Sequence, residues 1–217
     1  MKDRLIAKTM PMVDGMDTPA QLLAYCARVS STANQHNHAT GPKLLRFLVQ
    51  RREWSPLEMV NLVFEIEVER DIARQILRHQ FKFQEFRQRY ASMFQRFTRR
   101  RARLQDFKDR QNSIETDDVY IQLGWSFGQW AVATVCGFVY KTALRFGVAK
   151  EVARSVLPEG MTMSRMYVNG YLRNWMHFLD ARCDSKTQKE HREVAFAIRE
   201  VLVKEFPDIA DLIPGGK

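Results

Sequence analysis

Residues 78–90 read RHQFKFQEFRQRY, and this short stretch is the most informative part of the 217-residue chain. It carries four basic side chains, one carboxylate, one histidine and four aromatic rings within thirteen positions. Arginine presents a planar, permanently charged fork that grips phosphate, and aromatic rings can shield a ring system from water. The composition therefore indicates a pocket for a flat, anionic ligand.

The residues before this stretch carry a helical pattern. In residues 69–79, ERDIARQILRH, Ile72, Ile76 and His79 fall on one side of a 3.6-residue period. We expect a helix that delivers Arg78 and His79 at its end. Residues 59–68, MVNLVFEIEV, are rich in β-branched and aromatic residues and end in strict alternation, which predicts a strand ahead of that helix.

Capping residues, turn residues and periodicity predict the other elements. We expect strands over 5–13 and 161–169, helices over 18–28, 42–51, 117–146, 170–182 and 186–204, a helical segment at 149–157 and a turn at 158–160. The long helix carries large aromatic residues that we expect in the core or in a subunit contact: Trp125, Phe127, Trp130 and Phe138. The basic run at 99–103 is typical of a solvated helix face.

Length and composition limit the classes of protein to consider. A 25.5-kDa chain without linkers or repeats predicts one domain, 1–217, and the absence of a run of about 18 apolar residues predicts no membrane span and a cytoplasmic location. The net charge of +9 permits nucleic-acid binding, but the chain has no helix-turn-helix, zinc-finger or RRM signature, so we expect phosphate-bearing small molecules instead. Cys26, Cys136 and Cys183 are far apart and predict neither a disulfide framework nor a zinc site.

Several ordered blocks of the sequence resemble the flavin-dependent thymidylate synthases. The similarity covers roughly residues 24–200. Its blocks are ARVSS, NQHNHATGPKLL, SPLEMVNLVFEIEVERDIARQILRH, FQEF, QRYA, RARLQDFKDRQNS, AKEVARSVLPEGMTMSR and LRNWMHFLDARCDSKTQKEHRE. The resemblance implies an α+β fold, with an antiparallel sheet flanked by several helices.

The resemblance also implies an activity. A member of this family methylates C5 of dUMP, takes the carbon from methylenetetrahydrofolate, uses reduced FAD as the hydride donor and NADPH as the reductant, and shares active sites between subunits of a homo-oligomer. We expect a tetramer or a dimer. Uracil C5 needs a stabilised negative charge on its ring, and a guanidinium supplies that stabilisation.

Motif by motif, the resemblance assigns roles to particular residues. The catalytic residue is Arg182, which also binds substrate. Flavin contacts fall on Ser55, Arg78, His79, Gln80, Glu85, Arg173 and His177. Nucleotide contacts fall on Gln75, Arg78, Glu85, Arg87, Arg89 and Arg154. Because Arg173 and His177 are four residues apart, one helix face can carry both.

The departures from the family pattern lie inside its signature. Gln80 stands in place of the third residue of the RHR hallmark, Arg87 replaces the hallmark serine at a spacing one residue shorter, and Tyr171 replaces a common serine. Glu53 stands where a histidine is frequent. These changes leave two alternatives open: a homologue acting mainly on UMP or adding another C5 group in a nucleoside-antibiotic or modified-nucleotide pathway, and a catalytically impaired flavin or nucleotide binder.

Overall fold

The computed structural model describes residues 3–86 and 97–216. The strands are β1 (Arg4–Lys8), β2 (Asn61–Glu69), β3 (Lys82–Glu85), β4 (Arg103–Gln105), β5 (Ser113–Glu115) and β6 (Met163–Tyr171). The helices are α1 (Pro19–Ala27), α2 (Gly41–Gln50), α3 (Arg70–Ile76), α4 (Val119–Arg145), α5 (Lys150–Ala153), α6 (Leu172–Arg182) and α7 (Lys189–Glu205).

Four strands form the main sheet in the order β1-β2-β6-β3, and β4 pairs with β5 in a separate hairpin. β1 and β2 are antiparallel. β2 and β6 also run in opposite directions, because Leu172 N–H donates to Val60 O at 2.9 Å while Arg70 N–H donates to Thr162 O at 2.9 Å. Every second side chain of β2 is fully buried. The expected α+β class with an antiparallel sheet is confirmed.

The chain divides into two compact units. One comprises Met1–Ile66, Leu77–Gln84 and Tyr167–Lys217, and the other comprises Glu67–Ile76 and Glu85–Met166. In the first unit, α6 and α7 pack on each other, and Trp175 donates from its indole nitrogen to Leu62 O and Gly170 O. The expectation of a single domain stays a prediction.

The N-terminal helices begin where the sequence predicts. Thr18 caps α1: its hydroxyl accepts from Gln21 N–H at 3.2 Å, and the Gln21 side chain accepts from Thr18 N–H at 3.0 Å. This reciprocal pair satisfies two N–H groups that a helix start leaves without partners. Proline in the first turn of α1 and of α2 adds a fixed φ where no intrahelical N–H is needed.

The long helix α4 begins and ends as predicted, but its aromatic residues are not core. Asp118 caps it by accepting from Tyr120 and Ile121 N–H, and Gly147 follows its end at φ 80°. Trp125 is 50 % exposed and Phe127 67 % exposed, so of the two expected roles a place in the core is excluded and a subunit contact stays a prediction. Within residues 3–86 and 97–216, no helix combines the length and apolar character that crossing a bilayer requires.

The helix predicted over 69–79 ends early, at Ile76. Arg78 and His79 therefore lie beyond α3, and the 3.6-residue pattern does not extend to His79. The physical reason is that His79 packs against Phe178 and accepts a hydrogen bond from Arg182, which holds this part of the chain in the first unit. Tertiary contacts override the local helical pattern here.

The basic run at 99–103 is not a helix. Arg103 begins β4, and Arg100 forms a bidentate pair with Asp71, at 2.6 and 2.8 Å, with Glu69 at 3.3 Å. The backbone carbonyl of Arg100 also accepts from Trp125 and Gln129 on α4. The prediction of a solvated helix face is wrong because carboxylates on neighbouring elements hold Arg100 partly buried.

Gly170 lies inside β6 rather than at the start of a helix, and the reason is steric. A Cβ atom at this position would lie 2.4 Å and 2.6 Å from two ring carbons of Phe81. The Phe81 ring in turn lies 4.2 Å from Trp175, centroid to centroid. The absence of a side chain at Gly170 therefore lets Phe81 reach the core two residues after His79.

Gly170→Ala should destabilise the protein by about 1–3 kcal/mol, because Phe81 has to leave its place in a packed core. The free energy of unfolding, from urea titration, measures this. Gly128→Ala on α4 is the matched control, since no described atom beyond its chain neighbours and the backbone of its own helix lies within 4 Å of the added Cβ. That control should stabilise by about 0.5–1 kcal/mol. Equal effects at both positions would contradict the steric role of Gly170.

Candidate functional site

The last residue of α6 is joined to the segment that follows α3. Arg182 donates from Nε to Nε2 of His79 at 2.8 Å. Because a guanidinium has no acceptor, Nε2 of His79 must carry no proton, and the imidazole is the neutral form with its proton on Nδ1. Among residues 3–86 and 97–216, no carboxylate pairs with Arg182, so its positive charge is not compensated by a fixed anion.

Aromatic packing keeps His79 in this state. Its ring meets Phe178 edge-on at 4.9 Å and the ring of His191 at 6.2 Å. Burial, and then the charge of Arg182, lower the pKa of His79 to about 4. Burial also lowers the pKa of His191 to about 3, with further contributions from Arg182 and His79. Near neutral pH, the cluster therefore carries the single charge of Arg182.

A second group of polar side chains lies toward the other end of α6. Arg173 donates to Glu58 at 2.5 Å, and His177 meets Trp54 edge-on at 4.9 Å. Burial lowers the pKa of His177, and the charge of Arg173 lowers it further. Ser55 begins the 3-10 turn that carries Glu58, and its side chain is exposed. Arg182 is nine residues from Arg173, or about 14 Å along a helix.

The second unit has a basic cavity of its own. A space of about 430 Å³ is lined by Arg70, Arg74, Glu151, Arg154, Ser155, Leu157 and Glu159. Arg154 donates from Nε to Glu151 O at 3.3 Å, and Arg74 is paired with Glu159. Three guanidinium groups against two carboxylates leave this cavity with a net positive lining that suits a phosphate.

The predicted site residues are distributed over the two units as follows. Ser55, Arg78, His79, Gln80, Arg173, His177 and Arg182 lie in the first unit, and Gln75, Glu85 and Arg154 lie in the second. Glu85 accepts from the Ser164 hydroxyl at 2.7 Å, and the side chains of Arg78 and Gln80 are exposed. Arg87 and Arg89 lie outside the described residues. The roles of all these residues stay predictions.

Sequence reasoning did not single out Glu58, Trp54 or His191. Trp54 precedes the predicted Ser55 and Glu58 lies three residues after it, so their closeness to that residue in the sequence was a usable signal. His191 gave none, because a histidine on the apolar face of the first turn of α7 looks the same as any core residue. Its contact with His79 depends on the packing of α7 against α6.

A family model described as Thy1, thymidylate synthase complementing protein, matches residues 11–208. This match spans most of the chain. The chain belongs to the flavin-dependent thymidylate synthase family. The resemblance found in the sequence motifs is thereby confirmed, as is the expectation of a methyltransferase enzyme.

Relatives with that name match over almost their whole length. A flavin-dependent thymidylate synthase of Synechocystis is 44 % identical over 214 residues, covering 97 % of this chain and 98 % of the relative. A probable flavin-dependent thymidylate synthase of Paramecium bursaria Chlorella virus 1 is 41 % identical over 211 residues and covers 97 % of each chain.

Among solved structures, the UMP/dUMP methylase PolB of Streptomyces cacaoi, bound with 5-Br dUMP, has the same fold. The TM-score is 0.80 with 23 % sequence identity, and the match covers 97 % of this chain and 93 % of PolB. The PolB structure bound with 5-Br UMP matches with a TM-score of 0.77 and 21 % identity. At this level of identity the likeness concerns the fold.

The two buried histidines should make stability depend on pH. The unfolded chain binds protons on these rings near pH 6.5, whereas the folded protein does so only near pH 4 for His79 and pH 3 for His191. Stability should therefore fall as the pH drops from about 6.5 to 4, with about 1.4 kcal/mol per pH unit for each ring. Urea titrations between pH 4.5 and 6 measure the slope. His191→Phe should reduce the slope by about 1.4 kcal/mol per pH unit, which is the contribution of one proton. An unchanged slope would contradict the lowered pKa of His191.

Proposed function

We propose that the protein methylates C5 of a uridine monophosphate, with dUMP and also UMP as substrates. Methylenetetrahydrofolate gives the carbon, reduced FAD gives the hydride, and NADPH is the reductant. The single observation that carries the catalytic part of this proposal is the guanidinium of Arg182, held at Nε by a neutral histidine and without a carboxylate partner among the described residues. Family membership supports the reaction type.

The chemistry needs a positive charge that is not already neutralised. Uracil C5 becomes nucleophilic only when negative charge builds on the ring and its oxygens. A guanidinium near that edge stabilises the charge in the transition state more than in the ground state, which is what lowers a barrier. The bond to His79 uses Nε of Arg182 and leaves the two terminal amino groups to face the substrate. His79 orients Arg182 because its unprotonated Nε2 accepts the hydrogen bond from Nε of Arg182.

The residues at the other end of α6 fit a flavin dinucleotide. The side chain of Arg173 is 40 % exposed, and His177 lies one turn further along α6. Ser55, on the neighbouring 3-10 turn, adds an exposed hydroxyl. A guanidinium and a hydroxyl suit a pyrophosphate, and an imidazole can donate to a ring carbonyl. We assign these residues, with Arg78, His79, Gln80 and Glu85, to FAD, which supplies the hydride when it is bound in its reduced state.

We assign the nucleotide to a different set of residues. Arg154 and its basic cavity take the phosphate, because a dianion is stabilised by several guanidinium groups. Gln75, Arg78, Glu85, Arg87 and Arg89 complete the contacts, and Arg182 holds the uracil. Arg87 in place of a serine brings five donors and several methylenes of reach.

We also propose a homo-oligomer in which subunits share active sites. The α4 helix supports this, because it exposes large apolar side chains along its length: Val119, Tyr120, Leu123, Trp125, Phe127, Trp130, Val135 and Phe138. An apolar surface of this extent marks an interaction site more often than a solvated face. A second copy of the chain is the partner we assign to it.

The decisive assay supplies reduced FAD and methylenetetrahydrofolate with dUMP or UMP and identifies the product by mass. Arg182→Ala should abolish turnover while flavin absorbance and stability are kept, because the charge acts on the uracil. Replacing all three cysteines should leave measurable turnover, since the mechanism uses no thiolate and burial raises the pKa of Cys26 and of Cys183. Loss of activity in a folded, cysteine-free protein would overturn this mechanism. A protein that binds flavin but forms no product would instead support the alternative of a catalytically impaired flavin or nucleotide binder.

The UMP-to-dUMP ratio of kcat/KM tests the substrate proposal. Tyr171 is 43 % exposed at the start of α6, where its N–H donates to the side chain of Asn174. Arg87→Ser combined with Tyr171→Ser should shift the ratio toward dUMP, because a buried 2′-hydroxyl then loses its partners. Lys82→Ala, an exposed residue of β3, is the control and should leave the ratio unchanged. A wild type that accepts only dUMP, with the same ratio in the double variant, would contradict UMP acceptance.

A further inference from the structure

A fully buried histidine on α7 has no assigned role in the proposed methylation. His191 is 0 % exposed. Its ring lies 6.2 Å from His79, nearly perpendicular at 82°, and 5.6 Å from Phe178 at 45°. Phe178 itself meets His79 edge-on at 4.9 Å. The three rings form a triangle, so the imidazole of His79 packs against a pair of contacting rings, one from α6 and one from α7.

This packing decides which edge of His79 faces Arg182. Nε2 of His79 accepts the hydrogen bond from Nε of Arg182, and these two nitrogen atoms are 2.8 Å apart. Rotation of the imidazole about its χ2 axis would move Nε2 out of reach, and a terminal sp³–sp² torsion of this kind is soft unless neighbours fix it. Phe178 and His191 stand against the ring, and so does Phe81, whose ring centroid lies 6.3 Å from that of His79.

The elements around His79 also explain why the position of Arg182 depends on it. Arg182 is the last residue of α6, so no side chains from a following helical turn pack over it. Within the described residues, its side chain hydrogen-bonds to His79. Any freedom of the His79 ring therefore becomes freedom of the guanidinium.

We propose that His191 is a positioning residue for the methylation reaction: with Phe178 it fixes the plane of His79, from which Nε2 holds Arg182. This inference rests on the proposed function, because it assumes that the charge of Arg182 acts on the uracil. His191 does not touch substrate. It acts through the order of the His79 ring, and the shape of its own ring carries this role.

The first test is kinetic and uses four variants on α7. His191→Ala and His191→Gln remove the ring and should lower kcat by about 10- to 100-fold, because moving a catalytic group by about 1 Å costs a factor of this size. The KM for the nucleotide should stay nearly unchanged. His191→Phe keeps a flat ring and should recover most of kcat. Ile198→Ala is the matched control, since Ile198 is also fully buried on α7 but carries no ring.

The second test does not depend on turnover. Long-range ¹H–¹⁵N correlation spectra of ¹⁵N-histidine-labelled protein should show His79 as the Nδ1–H tautomer in the wild type, assigned by the loss of its signals in His79→Gln. In His191→Ala the His79 signals should shift toward the average of exchanging tautomers, while His191→Phe should keep the wild-type pattern.

The outcomes separate this inference from the proposed function. Equal kcat losses in His191→Ala and Ile198→Ala at equal stability would reduce His191 to an ordinary core residue. A single, unchanged tautomer in His191→Ala would overturn the positioning role even if no turnover were detected. An inactive wild type with the expected spectra would refute the proposed function and leave the positioning of His79 standing.

Discussion

The hydrogen bond from Arg182 Nε to His79 Nε2 is the contact on which the rest of the proposed site depends. It requires His79 to be neutral, and burial and the adjacent guanidinium satisfy that requirement together by lowering the pKa of His79 to about 4. A carboxylate in the same place would hold Arg182 more tightly but would neutralise it. A neutral acceptor fixes the direction of the guanidinium and leaves its charge for the substrate, which is the kind of preorganisation that electrostatic catalysis needs.

Helix α6 links this contact to the proposed flavin residues. Arg173 and His177 lie four residues apart on one face, and Arg182 lies at the end of the same helix. Trp175 and Phe178 are buried on its other side, so packing fixes the rotation of the helix about its axis. Gly170 makes room for Phe81, and Phe81 positions the chain that carries His79. A small residue in a strand thus helps to place a polar residue in the site.

Much of this architecture can be predicted from sequence, for physical reasons that differ between elements. β2 and α1 follow from alternation and a capping box, which are local signals. The end of α3 at Ile76 does not, because the contacts of His79 with Phe178 and Arg182 come from residues about 100 positions away. The strands β3, β4 and β5 have three or four residues each, too few to establish a period. Arg182 was found through a family motif, whereas His191 and the pairing of Arg100 with Asp71 depend on packing and have no local signature.

The most direct test of the central claim is a double-mutant cycle on kcat with His79→Gln and Arg182→Lys, measured at saturating flavin and nucleotide. Lysine keeps a charge but lacks the Nε–H that His79 accepts. If His79 acts by holding Arg182, the double variant should be no slower than Arg182→Lys alone, because the contact is already lost. Effects of the two substitutions that multiply would show that His79 and Arg182 act independently, and would contradict the account.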